Sequence, residues 1–528
     1  MDRKTILAVV LSALVIMGYQ FYITKYRPAP VGNEAGAPAD VNKMLPAGPA
    51  EEASISEPEI IGLPETMATV ETDKYVVTLS TLGGCIRKIV LKDHFASGGN
   101  NGFDLLDIAD PGNGVFNMIE DLSPNRINLT NFTCEEKKDE MIFTADIGGK
   151  MGVVKKYIFH NSGYLIELEV YIKNITDQQI TTSYLLNTGS NMGIDSDLDK
   201  RYIQAVAEAA GKVGRNSGGK GDKPFVKGTV GYAGLQSRYF SVIVKNSIPT
   251  EGAIAAKLAG GNVSSGIKVS KFAVLPRSTV LHKFSLYAGP TDKRTMGQYG
   301  LSSAAGHGFL GGISDILLTG LKLFHKIFKN WGIAIILLSV LVNAFLFPLS
   351  RKSYESMKKM QHLQPHMDRL RDEHKNNPQK MNKEIMELYK KYDVNPMGGC
   401  LPLLLQIPVF IALYQALMKS LELRGSGFLW VKDLSMPDAV PLPFSLPVIG
   451  NSINMLPILM TVAMAFQQRF STPKGAAQSA QQKQQQQMMI IMPVIFLFVM
   501  YRFPSGLVLY WLVNTILTMF EQRAIMHG

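Results

Sequence analysis

WGIAIILLSVLVNAFLFPL (Trp331–Leu349), GGCLPLLLQIPVFIALYQALM (Gly398–Met418), a run inside Ala439–Gln468, MMIIMPVIFLFVMY (Met488–Tyr501) and FPSGLVLYWLVNTILTMF (Phe503–Phe520) are five charge-free stretches near the end of the chain. A soluble domain does not present such a series. A helical span of a bilayer needs roughly 20 apolar residues, and every backbone group must be satisfied within it. Polar residues inside these runs, Ser339, Asn343, Gln406, Gln415 and Asn514, are therefore the first candidates for function. The last two runs could be taken for one helix, but Arg502-Phe503-Pro504-Ser505-Gly506 separates them with a charge, a proline and a glycine. This predicts a hairpin turn. Each arm then holds about 14–18 apolar residues, or ~21–27 Å of helix, which favours a locally thinned bilayer.

The loops set an orientation. Residues 351–397 carry 11 Lys/Arg and 7 Asp/Glu, 419–438 three bases and three acids, and 467–487 three bases and no acid. Cytoplasmic loops hold the positive excess, so the first and third are expected inside and the second outside. At the N-terminus, Arg3 and Lys4 precede an uncharged run that ends at Lys25, with no small-residue cleavage site. An uncleaved anchor over residues 1–27 is the expectation. With six spans, both termini are cytoplasmic. Residues 28–68, with seven prolines, read as a flexible linker.

Residues 69–305 read as β structure. Tyr75–Leu79, Ile86–Leu91, Met141–Ala145, Val153–Phe159, Tyr164–Ile172, Tyr239–Val244 and Val280–Tyr287 are short runs rich in Val, Ile, Tyr and Phe, separated by turn clusters. They predict a β-sandwich on the outer side; Ile203–Gly211 reads as a short helix. Residues 306–330 follow. Gly306–Gly311 spells a dinucleotide fingerprint but lacks the strand and the acidic partner that such a site requires. It is read as a flexible lead-in to an amphipathic helix, Leu310–Lys329. There Ile313, Leu317, Leu321, Phe324 and Phe328 share helical spacing and suit the membrane interface. Packing against the β-domain is the alternative. Within 351–397, Met357, Met360, Leu363 and Met367 line one helical pattern and Met381, Ile385 and Leu388 another. An Asn376-Asn377-Pro378 turn between them makes a charged helical hairpin.

The whole chain of 528 residues has a net charge of +11 and a mean hydropathy of +0.08, an average over a polar half and a membrane half. No long basic tail of the kind that binds nucleic acid is present. Three cysteines make no disulfide framework; Cys85 and Cys134 share one region, where spacing permits a bridge without requiring it, and Cys400 reads as a small packed hydrophobe. His94, His160 and His282 stand alone, and no metal or hydrolase motif accompanies them.

Asn395-Pro-Met-Gly-Gly-Cys-Leu-Pro-Leu-Leu-Leu-Gln-Ile-Pro-Val-Phe410 resembles the third span of the YidC/Oxa/Alb membrane protein insertases, and Phe503-Pro-Ser-Gly-Leu-Val-Leu-Tyr-Trp511 their last. Met492–Phe496 and the segment around Leu363-Gln364-Pro365 are also similar. The likeness covers about residues 331–525, the expected five-span core; the anchor, linker and β-domain resemble the long form found in Gram-negative bacteria. The resemblance implies a multi-pass α-helical inner-membrane protein of six spans, five forming the insertase core, with a large periplasmic β-supersandwich. It implies an insertase and chaperone for nascent membrane proteins, not an enzyme, using no cofactor and working alone or beside the Sec translocon. Any ribosome contact would fall to the cytoplasmic loops. The implied machinery is a polar groove open to cytoplasm and lipid, and a cytoplasmic hairpin that receives substrate. Ser339, Asn343, Gln406, Tyr510, Trp511 and Asn514 are its expected groove residues here. The family usually places an arginine on the first core span, where this chain has Asn343. The competing classes are a polytopic transporter or channel, and a membrane-anchored enzyme. The runs contain no acid for ion coupling and no evident repeat.

Overall fold

A computed structural model describes residues 65–93, 102–110, 113–120, 127–194, 197–219, 223–258, 262–306, 310–374, 377–392, 394, 401–446, 450–471 and 491–527. The expected N-terminal anchor, nearly all of the linker, His94, Cys400 and the glutamine-rich stretch 472–490 lie outside them.

Alternation builds the β-domain. In Met151–Phe159 and Leu165–Asn174 every second side chain is buried, the period-2 pattern of a strand with one covered face. These two strands pair antiparallel near the centre of a nine-stranded sheet. Its order is Lys212–Asn216, Gln204–Ala209, Val230–Gln236, Phe240–Asn246, Thr279–Pro290, Leu165–Asn174, Met151–Phe159, Glu140–Ile147 and Thr133–Lys137. A four-stranded sheet, Met67–Glu71 through Phe103–Asp107, and a five-stranded sheet holding Tyr184–Gly189 and Val263–Val269 share one hydrophobic core with it. The result is a β-sandwich.

Gln204–Ala209 is a strand, not the expected helix. Its alanines favour a helix locally, but it pairs with strands on both sides, and Ala205, Val206 and Ala207 are fully buried. Tertiary pairing overrides propensity here. Cys85 is buried, Cys134 is exposed, and both are free thiols, so the bridge that spacing permitted is not made.

The helical part contains α1 (Gly311–Phe328), α2 (Trp331–Glu373), α3 (Pro378–Lys391), α4 (Leu401–Lys419), α5 (Met455–Ser471), α6 (Ile491–Met500) and α7 (Ser505–His527). Among the described residues, one helix is long and apolar enough to cross a membrane, over Trp331–Leu363; shorter apolar helices are Gln406–Met418, Met455–Gln468 and Ile491–Met500. In the α1 segment the expected stripe divides. Leu317 and Leu321 are buried against the helical core, and Phe324 is partly buried there. Ile313 and Phe328 face out with Ile316, Leu323 and Ile327. The alternative reading of α1, packing on the β-domain, is not what buries it.

α2 does not end where its apolar run ends. Its 43 residues reach about 65 Å at 1.5 Å per residue, roughly twice a bilayer core. The first arm of the expected hairpin is therefore the continuation of the Trp331–Leu349 helix rather than a separate helix. The Arg502–Gly506 break is present: α6 stops at Met500 and α7 begins at Ser505. α7 continues as helix beyond Phe520 to His527. Before α5, Val440–Leu446 pairs with Gly450–Ile453 as a small β-hairpin that hydropathy alone does not reveal.

Candidate substrate groove

α7 is the organising helix. Its first two free amides are satisfied from the loop that follows α4: Ser505 N–H donates to the Met436 carbonyl at 2.8 Å and Gly506 N–H to Leu434 at 2.9 Å. The same loop meets the start of α2, where a Cβ on Gly332 would lie 2.1 Å from the Phe428 ring. At the other end of α7, Lys358 of α2 donates to the Ile525 carbonyl at 3.2 Å. α2 and α7 thus run side by side, with their starts under the 420–438 loop.

Two side-chain hydrogen bonds join the middle of α7 to α2 and α4. Asn343 Nδ2 donates to Asn514 Oδ1 at 2.7 Å and to the Ser339 carbonyl at 2.9 Å. Ser339 Oγ turns back onto Ile335 at 2.7 Å. Gln406 Nε2 donates to the Tyr510 hydroxyl at 2.6 Å. Tyr510 and Asn514 are four apart and share one face, so α2, α7 and α4 are joined through adjacent turns of α7. Trp511 packs edge-on to Phe410 at 4.9 Å and lies 5.2 Å from Phe496. It holds α4 and α6 by its ring and makes an apolar neighbour to the polar row.

The row runs further than the sequence reading took it. Thr518 accepts from Gln467 of α5 at 3.0 Å, donates to the Asn514 carbonyl at 2.9 Å, and sits one turn beyond Asn514. The i, i+4 spacing from Asn514 was available in the sequence; a threonine among apolar residues did not draw attention because its hydroxyl can be satisfied within its own helix. Gln415 is not part of the row, and among the described residues its buried Oε1 has no hydrogen-bond partner.

The hairpin differs from its expected form. Leu363 and Met367 are buried, and Met357, Met360, Met381 and Ile385 are half-buried, whereas Met386 is exposed. Tyr389 reaches across from α3 to the Met367 sulfur at 3.4 Å, and His374 meets Glu384 at 2.8 Å. Helical spacing placed these apolar residues on one face of each arm; Leu363 and Met367 are buried, and Met367 meets the other arm at Tyr389.

Residues 323–528 match the family described as 60Kd inner membrane protein, and residues 67–319 match the YidC periplasmic domain. The membrane protein insertase YidC of Syntrophus aciditrophicus is 32% identical over 564 residues, spanning 99% of both chains. That of Geobacter metallireducens is 33% identical over 561 residues, spanning 99% of this chain and 98% of its own. The chain belongs to the YidC family of membrane protein insertases. An active YidC insertase crystal structure with the first transmembrane domain resolved is 21% identical and covers 88% of this chain and 94% of that chain, at a TM-score of 0.36. The protein is accordingly an inner-membrane insertase with a periplasmic β-domain, not a transporter and not an enzyme.

Proposed function

We propose that the polar face of α7, with Ser339 and Asn343 of α2 and Gln406 of α4, is the surface that receives the polar flank of an incoming membrane segment. The Asn343–Asn514 bond carries this reading. Interhelical hydrogen bonds in membrane bundles are worth only ~0.6 kcal/mol on average, so stability alone gives little reason to place two amides there. A weak pair opens at small cost, and its donors and acceptors then serve water or a translocating peptide. The apolar part of the same substrate passes into lipid. The family's arginine is replaced by an amide, so hydration rather than fixed positive charge is the essential property of this groove.

The rest of the reading follows the loops. Residues 351–397 and 467–487 face the cytoplasm, both termini are cytoplasmic, and six spans cross the inner membrane. α1 lies in the outer interface, where its second apolar stripe of Ile316, Leu323 and Ile327 meets lipid. The cytoplasmic hairpin guides nascent chains, with the Sec translocon and the ribosome as partners, and the protein also assists folding as a chaperone.

The test combines two substitutions. Asn343→Leu with Ser339→Ala dries this face and should slow insertion of a substrate with a polar translocated segment several-fold in reconstituted vesicles. Asn343→Arg should be tolerated, because the Asn514 and Ser339 oxygens and entering water can solvate the guanidinium. Insertion by the Leu/Ala variant at the unmodified rate would show that hydration here is not what the groove needs.

A further inference from the structure

Arg238 lies in the periplasmic domain, at the turn between strands Val230–Gln236 and Phe240–Asn246, yet only 3% of it is exposed. Its partners belong largely to the membrane part. Nε donates to the Met418 carbonyl at the end of α4, and Nη2 donates to the Ser435 carbonyl at 3.2 Å. Nη1 lies 3.7 Å from Asp199. The guanidinium covers the Tyr239 ring at 4.6 Å, and Arg424 of the 420–438 loop approaches Tyr239 and Phe103 at 5.7 and 5.1 Å. Beside them the Tyr202 and Tyr414 hydroxyls meet at 2.9 Å.

The position of these contacts is informative. The last carbonyls of a helix have no partner within it, and a cation there also suits the helix dipole; Arg238 supplies both to α4 from another domain. Ser435 lies between Leu434 and Met436, the two residues that hold the first amides of α7. One side chain thus fastens the ends of both helices that carry Gln406 and Tyr510. Just inside, Leu507 and Val508 are 1% exposed. A buried cation carries a desolvation cost that simple packing would avoid, so a specific tie is the better account.

We propose that Arg238 is a positioning residue through which the periplasmic domain keeps the outer end of the groove closed. This rests on the groove reading above and gives the β-domain a role in it: sealing, not insertion.

The experiment uses the full-length insertase in membrane vesicles with the periplasmic face outward. Cys134→Ser and Cys400→Ser remove background thiols, and buried Cys85 is left in place. Val508→Cys then reports the outer closure to an impermeant maleimide added outside. With Arg238→Met, labelling should accelerate about tenfold, equivalent to ~1.4 kcal/mol lost from the closed state. Arg238→Lys should fall in between. A control Met519→Cys, near the far end of α7, should stay at its unmodified rate. Unchanged labelling at position 508, or an equal rise at both positions, overturns the proposal. If Arg238→Met fails to fold, Asp199→Asn carries the same test with about a threefold acceleration expected, and no acceleration overturns it. Failure of the groove reading would appear separately, as normal insertion by the Leu/Ala variant of Asn343 and Ser339.

Discussion

Lys155 shows how much one side chain can decide. It occupies the middle of the core-facing row Met151, Val153, Lys155, Tyr157, Phe159 and is fully buried. Its ammonium donates to the Gly83 and Phe116 carbonyls at 2.7 and 2.8 Å. Gly83 and Phe116 both have positive φ, at 72° and 66°, so Lys155 pins two turns that regular pairing cannot hold. Burial lowers its pKa to about 8 from the usual 10.5. Below pH 8 folded and unfolded states are both charged, and the folded state bears the desolvation cost. Between about 8 and 10.5 the unfolded state binds more proton, so stability rises with pH. The β-domain should gain at most about 1 kcal/mol between pH 7 and 8.5, read as its unfolding transition in the full chain. Lys155→Met should abolish that gain and lower stability, since two buried carbonyls lose their donor. In acid, His282 acts in the same sense. Burial lowers its pKa to about 4, so stability falls as pH drops from about 6.5 toward 4.

At the scale of elements, α2 joins two tasks. It carries Ser339 and Asn343 near one end and Met357, Met360, Leu363 and Met367 toward the other. Pro348 lies inside it without ending it. Proline leaves the carbonyl four residues back without its usual partner, here Ala344, one residue from Asn343. The hairpin arm, which holds a second interior proline at Pro365, is consequently continuous with a groove helix. Deleting Met360–Tyr389 should impair insertion while the spans still assemble, measured as insertion rate against a protease-resistance control; normal insertion by a stably expressed deletion would contradict this. The continuity was not legible in the sequence, because charge beginning at Arg351 marks the end of the membrane run and not the end of the helix. The apolar residues of each arm were legible as a face, but whether a face meets a partner arm or a ligand depends on tertiary contacts that periodicity does not encode. The residues that join α2, α4 and α7 through side-chain hydrogen bonds were legible because polar residues in apolar runs are rare. Arg238 was missed because an arginine in a strand-rich region looks solvated until its distant partners are known.

For the molecule as a whole, the β-domain strands were readable from alternation, while their order was not, because strands such as Gln204–Ala209 owe their state to neighbours far away in sequence. Sidedness can be argued from two independent sources. The proposed orientation, with 351–397 and 467–487 inside and 419–438 outside, draws first on the loop charges. The proposal also draws on contacts: the 420–438 loop meets the starts of α2 and α7 and touches the periplasmic domain through Arg238 and Arg424. The far half of α2 and the last turn of α7 meet at the opposite end through Lys358. About 65 Å of helix then leaves ~30 Å beyond a ~30 Å core for the hairpin arm. A cysteine placed at Asn376 should therefore resist an impermeant thiol reagent added to intact cells and react once the inner membrane is opened. A cysteine at exposed Leu429 should show the reverse order, reacting as soon as the reagent enters the periplasm. Labelling of position 376 from outside would put the hairpin on the wrong face and undo the orientation, however the groove itself behaves.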